Sequence, residues 1–213
     1  MTDILKSLTH HIHVYNFDLS CHTSKINDTL YCLLDENEQT KAKQYKFDFL
    51  RERYIQAHIK LRQILMLYTY MNPIILKKPD GKPYLRDFPI IEFNLSHSEN
   101  WAICAVTLDK PVGVDIEYEN KDSNIDFINI AENFFSLKEV ERIKSTDNLN
   151  QLFLTMWTRK EAYIKSIGLG LSNELLSKDI PEHIDIFDYK FNKNYIAALA
   201  IQKCDKNIVL INY

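Results

Sequence analysis

Apolar residues spaced three and four positions apart predict several helices along the chain. The strongest prediction is residues 49–71, where apolar positions alternate with basic ones. A second helix is predicted over residues 152–171, in which Gly168 supplies the flexible backbone that ends a helix. Residues 125–145 and the more polar residues 35–47 show weaker helical patterns.

Alternating apolar and polar positions predict strands on either side of these helices. The predicted strands are residues 11–17, 90–95, 101–107, 112–118, 184–191, 195–201 and 208–213. Alternation in the first strand places His11 and His13 on its polar face. No third ligand follows at a metal-binding spacing, so the pattern favours an ordinary half-buried strand over a metal site. Residues 78–85 contain Asp80-Gly81 and predict a tight turn.

The order of these elements repeats. A strand, helices and strands are followed by another strand, helices and strands, which predicts an α/β (α+β) fold of two similar halves meeting near residue 110. We therefore expect an N-terminal half of residues 1–110 and a C-terminal half of residues 111–213.

Composition and charge narrow the class of protein. The 213 residues are 46% hydrophobic and 26% charged, which is ordinary for a globular protein. A net charge of -3 argues against a protein that grips nucleic acid. The sequence has no run of 18 apolar residues and no apolar signal segment near its start, so neither a membrane span nor secretion is indicated. The scattered residues Cys21, Cys32, Cys104 and Cys204 indicate neither zinc nor a disulfide framework, so a reduced, cytoplasmic protein is expected.

Two acidic residues interrupt the predicted strand 112–118. Asp115 and Glu117 are two positions apart, so their carboxylates lie on one face, while Val114 and Ile116 point to the other. Two close carboxylates on a partly buried surface favour a bound cation. A solvated edge-strand face explains the same pattern, and the segment alone does not decide between the two.

The predicted helix 152–171 carries charge inside its apolar stripe. Glu161 falls within that stripe and Lys165 follows four positions later, which on its own is an ordinary helix-stabilising pair. Together with Asp115 and Glu117, however, Glu161 would complete a ligand set for Mg²⁺, an ion that also takes substrate phosphate oxygens. Lys160 and Lys165 are then expected to meet those phosphates.

Five motifs in order resemble those of the Sfp-type 4′-phosphopantetheinyl transferases. They are Gly81-Lys82-Pro83, Phe93-Asn94-Leu95-Ser96-His97-Ser98, Gly113-Val114-Asp115-Ile116-Glu117, Phe134-Phe135-Ser136 with Glu139, and Trp157-Thr158-Arg159-Lys160-Glu161-Ala162 with Lys165 and Gly168. The resemblance covers roughly residues 35–171. It implies two pseudo-symmetric halves, each an antiparallel sheet packed with helices, and an active site between them.

The resemblance also implies an activity and its residues. Such enzymes transfer phosphopantetheine from coenzyme A to a serine of an acyl- or peptidyl-carrier protein and release 3′,5′-ADP, with Mg²⁺ on the pyrophosphate. By position, the residues that match the family's functional groups are Asp115, Glu117 and Glu161 for the metal, Lys160 and Lys165 for the phosphates, and Arg53, Lys82, Ser96 and His97 for coenzyme A. Arg53 and His97 match contacts to the 3′-phosphate. Glu161 also matches the group that helps to deprotonate the carrier serine.

Several points stay open at this stage. Either Lys41 or Lys43 matches a basic residue near the 3′-phosphate, and a capping box with Ser136 already accounts for Glu139. The alternatives to a transferase are a metal-dependent phosphohydrolase acting on nucleotides and a non-catalytic protein that binds coenzyme A or a carrier. The carrier and pathway are not indicated, and a chain with both halves is expected to act as a monomer.

Overall fold

The computed structural model describes residues 3–20, 28–120, 124–170 and 173–213. Its helices are α1 (Asp3–Ser7), α2 (Asp28–Tyr31), α3 (Glu36–Lys43), α4 (Asp48–Thr69), α5 (Phe127–Phe134), α6 (Leu137–Lys144), α7 (Leu149–Ile167) and α8 (Asn173–Leu176). Its strands are β1 (His11–Asp18), β2 (Ile75–Lys77), β3 (Pro83–Leu85), β4 (Ile91–Ser98), β5 (Trp101–Leu108), β6 (Val112–Tyr118), β7 (Ile184–Phe191), β8 (Tyr195–Gln202) and β9 (Asn207–Asn212). Cys21 and Leu171, both used in the sequence analysis, lie outside the described residues.

The strands form two main sheets, and the predicted α+β class is confirmed. The first sheet has the order β4-β5-β1-β9 and the second has the order β6-β8-β7. The halves follow one plan, because β1, α4, β4 and β5 in the first correspond to β6, α7, β7 and β8 in the second. In each half the second strand of the closing pair lies in the middle of the three.

The last strand departs from the predicted arrangement. We expected β9 to close the sheet of the second half, but it pairs in parallel with β1 at the edge of the first sheet. That sheet is therefore mixed rather than purely antiparallel. By pairing there, β9 satisfies backbone groups of β1 that would otherwise be left at an open sheet edge.

Both faces of the first sheet are covered, which corrects the prediction for β1. Its residues Tyr15 and Phe17 pack toward α4, while Ile12 and Val14 pack against the second sheet. His13 is buried rather than on a polar face, and its Nδ1 lies 2.7 Å from the hydroxyl of Tyr68 on α4. A buried imidazole with that partner is satisfied within the core.

Most helix limits follow the predicted pattern. Gly168 ends α7 in a left-handed conformation with φ of +79°, as a C-terminal glycine does. The helical region predicted at residues 125–145 is divided, because α6 starts after Ser136, whose backbone N–H donates to Glu139 at 2.9 Å. Within the described ranges, no helix is both long and apolar enough to cross a membrane.

Candidate active site

The candidate site lies where the edge strand β4 of the first sheet runs beside β6 of the second. Asn94, Ser96 and Ser98 alternate along β4 and therefore share one face. Asn94 Oδ1 accepts from the backbone N–H of Val114 at 2.9 Å, and Ser98 Oγ accepts from that of Tyr118 at 3.1 Å. Polar side chains thus join the two sheets and bring β4 within reach of the acidic face of β6.

Gly113 allows α7 to lie directly on that acidic face. A Cβ at this position would come within 2.0 Å of the carbonyl oxygen of Ala162 and 2.4 Å of the backbone nitrogen of Ser166. On the opposite face of β6, Val114 and Ile116 enter the core, as predicted. The close approach places the helix face that carries Glu161 and Lys165 next to Asp115 and Glu117.

Asp115, Glu117, Glu161 and Lys165 form what we call the carboxylate cluster. Lys165 Nζ donates to Asp115 Oδ1 at 2.5 Å and lies 3.7 Å from Glu161 Oε2. Ser96 Oγ donates to the same Asp115 oxygen at 2.9 Å. Asp115 is only 3% exposed, so the alternative of a solvated edge-strand face is wrong.

The environment of the cluster raises the pKa of each of its carboxylates. Burial raises the pKa of Asp115, although Lys165 opposes the effect. Burial, together with Asp115, raises the pKa of Glu117 to about 7 and also raises the pKa of Glu161. Burial alone would lower the pKa of Lys165, but the carboxylates, led by Asp115, raise it overall. One ammonium therefore does not neutralise the three acids.

The donor set fits a hard divalent cation. Asp115 Oδ2 is buried and has no hydrogen-bond partner, which is a costly arrangement for a carboxylate. Three carboxylates and one ammonium leave two formal negative charges, and carboxylate oxygens are the ligands that Mg²⁺ takes. The side chains are not already gathered as ligands, since no group of three His, Cys, Asp or Glu among the described residues is arranged to hold a metal. Lys165 occupies Asp115 Oδ1 and leaves Oδ2 as the oxygen available to a cation.

Lys82 is buried and contacts α7 and β6. Its Nζ donates to the carbonyl oxygen of Ser166 at 2.6 Å and to that of Val112 at 3.4 Å, and Glu92 lies 3.7 Å away. Burial lowers the pKa of the Lys82 ammonium. In this arrangement Lys82 ties the turn before β3 to both α7 and β6, and its contact with coenzyme A stays a prediction.

Lys160 does not face the carboxylate cluster, and its contact with a substrate phosphate stays a prediction. Its buried ammonium donates to the carbonyl oxygens of Leu176 at 2.6 Å and Lys178 at 2.9 Å, and it pairs with Glu139 at 3.0 Å. The physical reason is helical rotation: at about 100° per residue, Lys160 and Lys165 differ by roughly 140° around the axis. Through these contacts Lys160 links α7 to α6 and to the segment around α8.

Arg53 on α4 and His97 on β4 are electrostatic neighbours. Partial burial lowers the pKa of His97, and the neighbouring His58, Lys165 and Arg53 lower it further. Basic groups from α4 and α7 thus lie around the imidazole of His97. Lys41 and Lys43 are both exposed on α3, so the choice between them stays open.

Some residues of the site were not identified from the sequence as connected to it. Asn94 and Ser98 join the sheets, with Ser98 Oγ also donating to Glu117 Oε2 at 3.0 Å, and Glu99 and Asn100 contact Arg53. The polar alternation along β4 was a signal for the first two. Glu99 and Asn100 lie more than 45 positions from Arg53 in the sequence, so no local pattern indicates their contacts with it.

Fold and site together define an α+β protein with a buried acidic cluster and a group of bases at the junction of its two halves. The model of the 4′-phosphopantetheinyl transferase superfamily matches residues 111–203. The chain is 32% identical over 176 residues to the 4′-phosphopantetheinyl transferase HetI of a Nostoc species, covering 79% of this chain and 73% of the relative.

Two further relatives support the same assignment. The 4′-phosphopantetheinyl transferase gsp of Aneurinibacillus migulanus is 37% identical over 201 residues, which cover 93% of this chain and 73% of the relative. The 4′-phosphopantetheinyl transferase ffp of Bacillus subtilis is 29% identical over 208 residues, or 87% of this chain and 91% of the relative. The chain belongs to the 4′-phosphopantetheinyl transferase family and is an enzyme.

Proposed function

We propose that this enzyme transfers the 4′-phosphopantetheine arm of coenzyme A to a serine of an apo acyl- or peptidyl-carrier protein and releases 3′,5′-ADP. The observation that carries the proposal is the carboxylate cluster, buried at the junction of the halves and short of positive charge. Asp115, Glu117 and Glu161 would hold Mg²⁺. When bound, the ion would neutralise charge on the pyrophosphate of coenzyme A.

The chain's own residues carry the remaining chemistry. The serine oxygen forms a bond to the phosphorus that bears the pantetheine arm, and the bond from that phosphorus to 3′,5′-ADP breaks. Glu161 accepts the serine proton, since its carboxylate lies in the carboxylate cluster, 3.7 Å from Lys165 Nζ. Lys165, once released from Asp115, stabilises negative charge on the transferring or departing phosphate.

Arg53 and His97 are proposed to bind the 3′-phosphate of coenzyme A. A phosphate monoester carries about -1.5 to -2 charge near neutral pH, and an arginine binds it through charge-assisted hydrogen bonds. Basic side chains of α4, β4 and α7 surround this position. Ser96 and Lys82 are proposed to contact the ligand closer to the carboxylate cluster. The free thiols of Cys32, Cys104 and Cys204 fit a reducing compartment, so we propose that the enzyme acts in the cytoplasm. Because one chain carries both halves, we also propose that it acts as a monomer.

Intact-mass spectrometry tests the proposed reaction. The protein is incubated with coenzyme A, Mg²⁺ and a panel of apo carriers, beside the same carriers with the target serine changed to alanine. We expect one carrier or more to gain the mass of a phosphopantetheine arm, and none of the alanine variants to do so. Release of free phosphopantetheine without a carrier would identify a phosphohydrolase instead. Binding of coenzyme A without any mass gain across the panel would identify a non-catalytic binding protein.

A further inference from the structure

The guanidinium of Arg53 is held by the turn between β4 and β5. Its Nη1 lies 3.0 Å from Glu99 Oε2, and its Nε and Nη2 donate to Asn100 Oδ1 at 3.1 and 2.8 Å. The Arg53 side chain is 19% exposed and that of Glu99 is 53% exposed, so the pair can be reached from solvent. One side of the arginine therefore meets a neutral amide and another side meets a carboxylate.

The turn that presents Glu99 is anchored in both halves. The backbone N–H of Leu19, just after β1, donates to the carbonyl oxygen of Asn100 at 2.7 Å, and the backbone N–H of Asn100 lies 3.3 Å from the hydroxyl of Tyr195 on β8. Asn100 is thus fixed and orients the arginine plane. Glu99 has a φ of +47°, a left-handed conformation that favours glycine. A charged residue occupies a position where its backbone is strained, and its carboxylate faces Arg53.

We propose that Glu99 competes with the 3′-phosphate of coenzyme A for the guanidinium of Arg53 and thereby sets the affinity for the phosphorylated ligand. This inference rests on the proposed function and on the proposed role of Arg53. Carboxylate and phosphate oxygens bind the arginine fork with the same geometry, so both cannot use the Nη1 edge at once. Asn100 takes no part in the exchange because it contacts the other edge. Glu99 therefore keeps Arg53 ordered without ligand at the expense of binding strength.

Calorimetric titration of coenzyme A and of dephospho-coenzyme A tests the competition. Because an exposed ion pair is weak, Glu99→Gln should tighten coenzyme A binding by roughly two- to fivefold at low salt and less at high salt. The affinity for dephospho-coenzyme A should not change. Glu99→Gly, which removes the carboxylate and relieves the backbone strain, should give the same selective gain. Asp109→Asn is the matched control, because Asp109 is another exposed acid at positive φ, in the turn between β5 and β6.

The Arg53→Ala background separates competition from simple repulsion between Glu99 and the phosphate. Competition predicts that Glu99→Gln has no effect on either ligand once Arg53 is absent. A gain that persists in that background would overturn the proposal, as would unchanged coenzyme A affinity in both Glu99 variants. If Arg53→Ala discriminates between the two ligands as strongly as wild type, the assignment of Arg53 fails. If the wild type binds neither ligand, the proposed function itself fails.

Discussion

Two buried charge clusters, one in each half, differ in whether the chain itself supplies partners for their carboxylates. In the first half Arg62 of α4 is buried and pairs with Asp35 and Glu38 at 2.7 Å each, while His58 lies 2.9 Å from the other oxygen of Glu38. We call these four residues the arginine cluster. Burial alone would raise the pKa of Glu38, but its contacts with His58 and Arg62 lower it overall.

The carboxylate cluster of the second half shows the opposite behaviour. Each of its acids has a raised pKa, and Asp115 Oδ2 has no partner. Two halves built on one plan thus place charge inside the protein for different purposes. The arginine cluster is satisfied by the chain itself and joins α3 to α4. The carboxylate cluster is left short of positive charge, which is the condition expected of a site that binds a cation and an anionic substrate.

Asp115→Asn should have the largest effect, since it removes the central acid of the unsatisfied cluster. We expect turnover to fall by at least about 100-fold, because Mg²⁺ loses a charged ligand, while the fold remains intact. Carrier modification rates and the unfolding midpoint are measured together, with Asp109→Asn as the control for loss of an acid. Full activity in the variant, or in wild type with excess chelator, would remove the metal from the account.

Lys165→Met tests whether the ammonium in the carboxylate cluster serves the reaction. The change keeps the side-chain length and removes the charge, so kcat should fall by roughly 10²- to 10³-fold while the KM for coenzyme A changes far less. Steady-state kinetics with varied coenzyme A separates the two constants. If kcat were unchanged, Lys165 would be only a helix-stabilising partner of Glu161.

Arg62→Met should instead damage stability, because it leaves Asp35 and Glu38 without their buried partner. We expect the free energy of unfolding to fall by roughly 3–5 kcal/mol, with kcat of the folded enzyme nearly unchanged. Arg51→Met is the matched control on the same helix, since its pair with Asp48 is exposed and is expected to contribute less than about 1 kcal/mol. Equal unfolding energies for both variants in urea titrations would contradict the contrast between the clusters.

Glu117→Gln should make the metal-free protein more stable at high pH. The folded-state pKa of about 7 lies above the ordinary value of 4.5, so this group's contribution to stability is present below pH 4.5 and is lost as pH rises through 7. The variant, which mimics the protonated acid, should gain roughly 1–3 kcal/mol over wild type at pH 8 in chelator, and little at pH 4.5. Unfolding by urea at both pH values measures this, with the exposed Glu182→Gln as control. A variant less stable than wild type at pH 8 would mean that Glu117 is already satisfied.

The sequence predicted the fold class, and it predicted that Asp115 and Glu117 share one face of their strand, while other arrangements could not be predicted for physical reasons. A period of two placed Asp115 and Glu117 on one face, whereas the packing of α7 that brings Glu161 to that face is seen only in the structure. Lys160 and Lys165 are close in the sequence, but the helical period places them on different faces of α7. Partners distant in the chain were not predictable: Arg62 pairs with acids 24 and 27 positions away. The parallel pairing of β9 with β1 likewise depends on the edge left open by the rest of the sheet.

Calorimetric titration of Mg²⁺ into the enzyme in the presence of coenzyme A tests the central claim most directly, with the heat of Mg²⁺ binding to coenzyme A alone subtracted. We expect a saturable site in the wild type, and also in Arg62→Met under conditions where that variant is folded. We also expect Asp115→Asn to lose that site. Equal Mg²⁺ binding by the wild type and Asp115→Asn would show that the carboxylate cluster does not hold the ion.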